Sequence, residues 1–169
     1  MDAKEFINLE LQEMRGLFTA SLQNMTEEQF NWVPGTAANP IRAIAMHAWG
    51  AEDYFIQTIL QNKSRIFESE HWDEKLGLTN TPGRGRGWDA AVTTQLSLAK
   101  ALEYYAEVQA ATAQYCTNIT DEELQKTVLL FKQEMSVAAV ISRFMLHTTG
   151  HAGEIAALRG MQGVKGLPF

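Results

Sequence analysis

The sequence holds a single cysteine, Cys116, in 169 residues. One thiol excludes an internal disulfide framework and any multi-cysteine zinc site, so a bound metal would rest on histidine and carboxylate. Proline occurs only at 34, 40, 82 and 168, which leaves 41–81 and 83–167 free of the residue that most strongly breaks helices. Glycine is absent from 88 to 149. No run approaches the roughly 18 consecutive apolar residues of a spanning helix. The opening Met-Asp-Ala-Lys-Glu-Phe is not a basic segment leading into an apolar one, so no membrane association and a cytoplasmic location are expected. Positive charge is also in deficit. Lys and Arg number 14 against 20 Asp and Glu, and a net charge of −6 has the wrong sign for a nucleic-acid partner.

What is present is ordinary globular composition, 46% apolar and 20% charged. At roughly 100–200 residues per domain, one domain over residues 1–169 is expected. Ile7, Leu11, Met14, Phe18, Leu22 and Met25 recur at three and four, the stripe of a first long helix. Asn39-Pro40 predicts the start of a second, with Asn as the cap and Pro at the first helical position. It continues through Ile41, Ile44, Ala48, Ala51, Phe55 and Ile59. A third stripe runs Val92, Leu96, Ala99, Leu102, Ala106, Ala110, Ala113, with Asp89 in its first turn. The fourth has Ser136 as cap and Val137, Val140, Ile141, Phe144, Thr148, His151, Ile155 and Leu158 on one face before Gly160.

Thr26 to Gln29 and Thr120 to Glu123 each match the capping-box pattern ahead of a histidine-bearing helix, hinting at a duplicated helix pair. No strand hairpin or βαβ alternation is expected. Four amphipathic helices predict an all-α four-helix bundle, and the long 61–87 connection between the second and third is too long for a tight turn.

Three histidines invite chemistry. His147 and His151 are four apart and share a helix face, while His47 lies on or beside the core-facing stripe of the second helix. Brought together, three imidazoles make a half-shell for zinc, nickel or iron(II) with positions left for water or substrate. Histidines near an apolar face are also common packing residues, and spacing leaves both readings open. His147-Thr148-Thr149-Gly150-His151 lacks the Glu of the HExxH proteases. Glu154, three after His151, has three roles open: fourth ligand, hydrogen-bond partner to an imidazole, or general base and hence the candidate catalytic residue. A solvated carboxylate fits equally. A di-iron carboxylate site is disfavoured, because Glu154 follows its histidine rather than preceding it.

The other candidates are weaker. Gly83-Arg84-Gly85-Arg86-Gly87 lacks the ending of a phosphate-binding loop and is expected to be a flexible loop whose two arginines can meet an anionic substrate or thiol cofactor. His71 is expected to be exposed. Cys116 has no basic residue within three positions to activate it. Trp32, Trp49, Trp72 and Trp88 are candidates for pocket walls or for plain packing.

The chain resembles the DinB/YfiT-like superfamily of metal-dependent four-helix-bundle proteins over nearly its whole length. The likeness rests on Asn39-Pro40 leading to Met46-His47-Ala48, on the Trp72 to Gly87 connection, and on His147 through Ile155 followed by Leu158-Arg159-Gly160. It implies that His47, His147 and His151 are metal ligands for zinc or nickel at one end of the bundle, that the connection between helices two and three crosses over, and that the protein forms a homodimer. Position 154 is commonly Gln in relatives and is Glu here. Members with a known activity use low-molecular-weight thiols in S-transfer or isomerisation of small molecules, and others have been labelled hydrolases. A thiol-dependent S-transferase or a hydrolase acting on a small-molecule substrate is therefore one expectation. A non-catalytic dimeric module that senses a metal or ligand is the other.

Overall fold

The computed structural model describes residues 1–35, 37–83 and 87–167. Four long helices carry the architecture: α1 (Ala3–Leu22), α3 (Ile41–Asp53), α7 (Leu98–Asn118) and α9 (Val137–Met161). Between them lie the short helices α2 (Glu27–Asn31), α4 (Ile66–Ser69), α5 (Trp72–Leu76), α6 (Trp88–Thr93) and α8 (Asp121–Gln125), with a hairpin of β1 (Thr127–Leu130) and β2 (Gln133–Ser136). α1 and α3 each pack against both α7 and α9, which closes a ring of four. The fold is the all-α bundle expected. No helix among the described residues is long and apolar enough to cross a membrane.

Capping chemistry starts these helices where the sequence suggests. The Thr26 hydroxyl accepts from the Gln29 amide at 3.1 Å while the Gln29 side chain accepts from the Thr26 amide at 3.0 Å, a complete capping box. Thr120 caps α8 through the Glu123 amide at 3.1 Å, without the reciprocal bond. Ser136 caps α9 through the Ala139 amide at 3.2 Å, and α9 runs one residue past Gly160 to Met161.

Four expectations are corrected. Pro40, not Asn39, is the cap of α3: its backbone is extended, and its carbonyl accepts from Ala43 and Ile44. A proline φ suits either position, so the pattern could not separate them. The third helix does not begin near Val92. α6 stops at Thr93 and α7 starts at Leu98 behind Ser97. The break is tertiary in origin, because the buried Arg42 guanidinium donates to the carbonyls of Ala91, Val92, Thr94 and Asn31. The Asn31 side chain meanwhile exchanges two hydrogen bonds with the Leu96 backbone, at 2.8 and 2.9 Å.

The third stripe is also out of phase. Ala99, Leu102, Ala106 and Ala110 face solvent, while α7 buries Ala101, Tyr104, Tyr105, Val108, Thr112 and Cys116. Two tyrosines and a valine bury far more apolar area than a row of alanines. Lastly, a hairpin exists, pairing Val128 with Met135 and Leu130 with Gln133. Its turn places Phe131 and Lys132 at φ 50° and 69°, conformations usually taken by Asn or Gly, so no turn signal marked it.

α3 is the most enclosed element. Of residues 41–50 all are buried except His47, which is half-buried. α7 and α9 flank it, and the 61–97 connection covers it through α4 and α6. Past Asp53 the helix widens into a π segment, Tyr54–Leu60, which buries Phe55, Ile56 and Gln57 together.

The connection is pinned by one carboxylate. Asp53 accepts from the amides of Ile66 at 2.9 Å and Phe67 at 3.0 Å, the N-terminus of α4, and from the Tyr104 hydroxyl at 2.9 Å. Thr81 then passes so close to Gly50 that a Cβ there would overlap the threonine side chain.

Candidate metal centre

The enclosure of α3 leaves His47 facing α9. Its Nε2 lies 3.0 Å from Nε2 of His147, which lies 3.2 Å from Nε2 of His151. The three rings stand edge to face, at interplanar angles of 70°, 86° and 78°. All three sequence candidates are thus brought together, with ligand atoms within 4.8 Å of one another. Nitrogens bound at about 2.0–2.1 Å to a tetrahedral ion stand about 3.3–3.4 Å apart, close to the spacing found.

The second nitrogen fixes the tautomer of two of the rings. His47 Nδ1–H donates to the Pro82 carbonyl at 2.9 Å, and His151 Nδ1–H donates to Glu154 Oε2 at 2.8 Å. Both rings therefore turn an unprotonated Nε2 toward the shared point. Among the described residues, His147 Nδ1 is buried without a hydrogen-bond partner. Lone pairs aimed at one another repel unless a cation lies between them, so the donor set fits a divalent ion.

Burial favours the neutral form of His47 and His147. It holds the His47 imidazole below its usual range, with the Pro82 hydrogen bond opposing and the charges of His151 and Glu154 smaller still. His147 is pushed down to about 4, first by burial and then by the charges of His151 and His47. A neutral imidazole offers its lone pair without first losing a proton.

Aromatic rings wall the cluster. Trp88 lies against His47 with centroids 4.9 Å apart, and its indole N–H donates to the Gly83 carbonyl at 2.9 Å. Phe55 meets His147 edge-on at 6.5 Å. Of the other tryptophans, Trp49 is stacked on Tyr105 in the core, Trp72 is buried beside Tyr104, and Trp32 packs half-buried on the same cluster. A cleft of about 1040 Å³ opens from His47 and His147 between the π segment, the connection and the hairpin.

The remaining candidates are not brought to the centre. His71 is exposed, and Cys116 is buried with its thiol pushed up to about 11 by burial. Arg84 and Arg86 lie outside the described residues. Sequence reasoning missed the Pro82 carbonyl, since a backbone acceptor leaves no side-chain signal. It also missed Gly50, whose bare Cα lets the Thr81-Pro82 segment approach α3.

The sequence profile of the DinB superfamily matches residues 10–155. No match is found among curated proteins. Among solved structures, the crystal structure titled as the conserved protein of locus from Enterococcus faecalis superposes with a TM-score of 0.80 at 19% identity. The alignment covers 94% of this chain and 96% of that one, which shows a shared fold. With the profile running from α1 through His47, His147, His151 and Glu154, the chain belongs to the DinB superfamily.

Proposed function

We propose that this chain is a divalent-metal-dependent enzyme acting on a small molecule, with zinc or nickel held by Nε2 of His47, His147 and His151. The chemistry proposed is thiol-dependent S-transfer, with hydrolysis as the variant the same centre could run. One observation carries the reading. Two of the three Nε2 lone pairs are aimed by second hydrogen bonds at a point that opens on a cleft. Structural zinc sites are closed by a fourth protein ligand, whereas among the described residues the group of donors here is these three histidines. This openness favours the enzyme over a closed sensor module.

A divalent ion there lowers the pKa of a thiol or water that reaches it. His47 and His151 are held in the tautomer that keeps the proton on Nδ1 and leaves the Nε2 lone pair free, and Trp88 and Phe55 lie against the flanks of the rings. Glu154, hydrogen-bonded on the far side of His151, is assigned to orient that ring. As the candidate catalytic base, its exposed carboxylate would receive the proton that the thiol or water gives up through solvent rather than by direct contact. A homodimer joins the proposal on the strength of the family likeness and of two exposed apolar side chains on α9, Leu146 and Met161.

The test is conjugation of a small thiol to 1-chloro-2,4-dinitrobenzene by protein loaded with zinc or nickel. Turnover is expected from the loaded chain and not from metal-free protein or His151→Ala. Turnover that survives metal removal overturns the metal-dependent reading, and no turnover by the loaded chain overturns the S-transferase reading.

A further inference from the structure

Although the chain carries a net charge of −6, the walls of the cleft carry Lys63, Arg65 and Arg143 against one carboxylate, Glu68. These charges are not equivalent. The Arg65 guanidinium is spoken for: it pairs with Glu68 and donates to the Asn80 and Thr81 side chains at 2.9 and 2.8 Å. Lys63 donates only to the Gln61 side-chain oxygen, at 2.8 Å. Among the described residues, Arg143 donates to the Met135 thioether alone, at 3.7 Å. Among the described residues, one guanidinium and one ammonium therefore line the cleft without a carboxylate partner.

Position gives Arg143 its meaning. It stands four residues before His147 on α9, so the two share a face about one helical turn apart. The wall between is aromatic: Tyr54 stacks on Phe131 at 6.2 Å, and Phe55 meets Phe131 edge-on at 6.2 Å. The hairpin thus supplies both Phe131 to that wall and Met135 beside the guanidinium.

We infer that the cleft takes an organic acid, its carboxylate bound by Arg143, its apolar body on Tyr54, Phe55 and Phe131, and its reacting end at the histidines. A guanidinium accepts a carboxylate through two parallel hydrogen bonds, and Lys63 raises the positive potential of the same cleft. A single unmatched guanidinium suits a monoanion. Phosphate-binding sites gather more donors.

This assignment rests on the metal-centre reading for the reacting end only, and the experiment separates the two. Cobalt(II)-loaded protein is titrated with 6-mercaptohexanoate and with 6-mercaptohexanol, reading the thiolate-to-cobalt charge-transfer band in the near ultraviolet. The acid is expected to bind about tenfold more tightly than the alcohol. Arg143→Ala is expected to erase that ratio while leaving the alcohol unchanged, and Arg143→Lys to keep part of it. A ratio near one in the unaltered protein, or an unchanged ratio in Arg143→Ala, overturns the carboxylate site. No cobalt spectrum at all contradicts the metal centre instead. In that event hexanoate and hexanol are compared on metal-free protein by the NMR shift of the Arg143 Nε–H. A shift with the acid alone supports the site, and none with either overturns it.

Discussion

Glu52 and Asp53 are neighbours on α3, both buried, and they face different parts of the molecule. Asp53 turns to the connection and accepts three hydrogen bonds, from Ile66, Phe67 and Tyr104. Glu52 turns to the bundle interior, where among the described residues neither oxygen has a hydrogen-bond partner and Arg15 stands 3.7 Å away. The contrast separates two ways of holding a fold. The bundle ring is held by apolar stripes and tolerates a poorly matched charge. The 61–97 connection also sends Phe67, Trp72, Leu76, Leu78 and Leu96 into the core, but the path of its backbone is set by a handful of polar latches, Asp53, Arg42 and Asn31 among them. The three-histidine cluster lies at their boundary, with His147 and His151 on the ring and the acceptor that orients His47 on the connection.

The sharpest way to break this contrast is Arg42→Met. It leaves four carbonyls without their donor and is expected to lower stability by about 3–5 kcal/mol in urea unfolding, since hydrogen bonds from a buried charged group are the costly ones to lose. Asp53→Ala should cost about 3 kcal/mol by the same reasoning. In hydrogen exchange, the Ile66 and Phe67 amides should lose protection while the middle of α9 keeps its own. Equal loss throughout would mean that the connection is not a separate unit.

Gly50→Ala probes the boundary. Displacing Thr81 should cost about 1–3 kcal/mol as overpacking. The shift of Pro82 should weaken metal binding about tenfold, the scale at which lost partners of ligating histidines are felt. Titration calorimetry with zinc reads the second effect, and an unchanged affinity would detach His47 from the connection.

The smallest effect belongs to Glu52. Burial raises its pKa above the ordinary value, so the native state binds the proton more tightly than the unfolded chain does. Stability should then fall as pH rises from about 4.5 and stay lower above the folded pKa. Glu52→Gln does not titrate, so its stability relative to the unaltered protein should rise as the pH is raised from 5 to 8 in paired urea melts. A loss with rising pH would show that Arg15 governs the site instead.

Much of this was legible in the sequence where large apolar residues repeat. The stripes of α1 and α9, the Thr26 and Ser136 caps and the i, i+4 pair His147 and His151 all stand as read. The stripe of α7 was not, because alanines at 99, 106 and 110 mimic a face that Tyr104, Tyr105 and Val108 occupy in fact. The hairpin was hidden by Phe131-Lys132 in a turn that ordinarily calls for Asn or Gly. The π segment left no mark, since one register shift within an apolar run leaves composition unchanged. Arg42 and Asp53 acted across the chain, on backbone groups that periodicity does not see.

The most direct test of the three-histidine centre is metal content by mass spectrometry on protein equilibrated with zinc, desalted and compared with His147→Ala. The unaltered chain should carry close to one ion and the variant close to none, with circular dichroism confirming that both remain folded. Protein that takes up no zinc or nickel, or a variant that keeps its full complement, would contradict the centre and leave His47, His147 and His151 as packing residues.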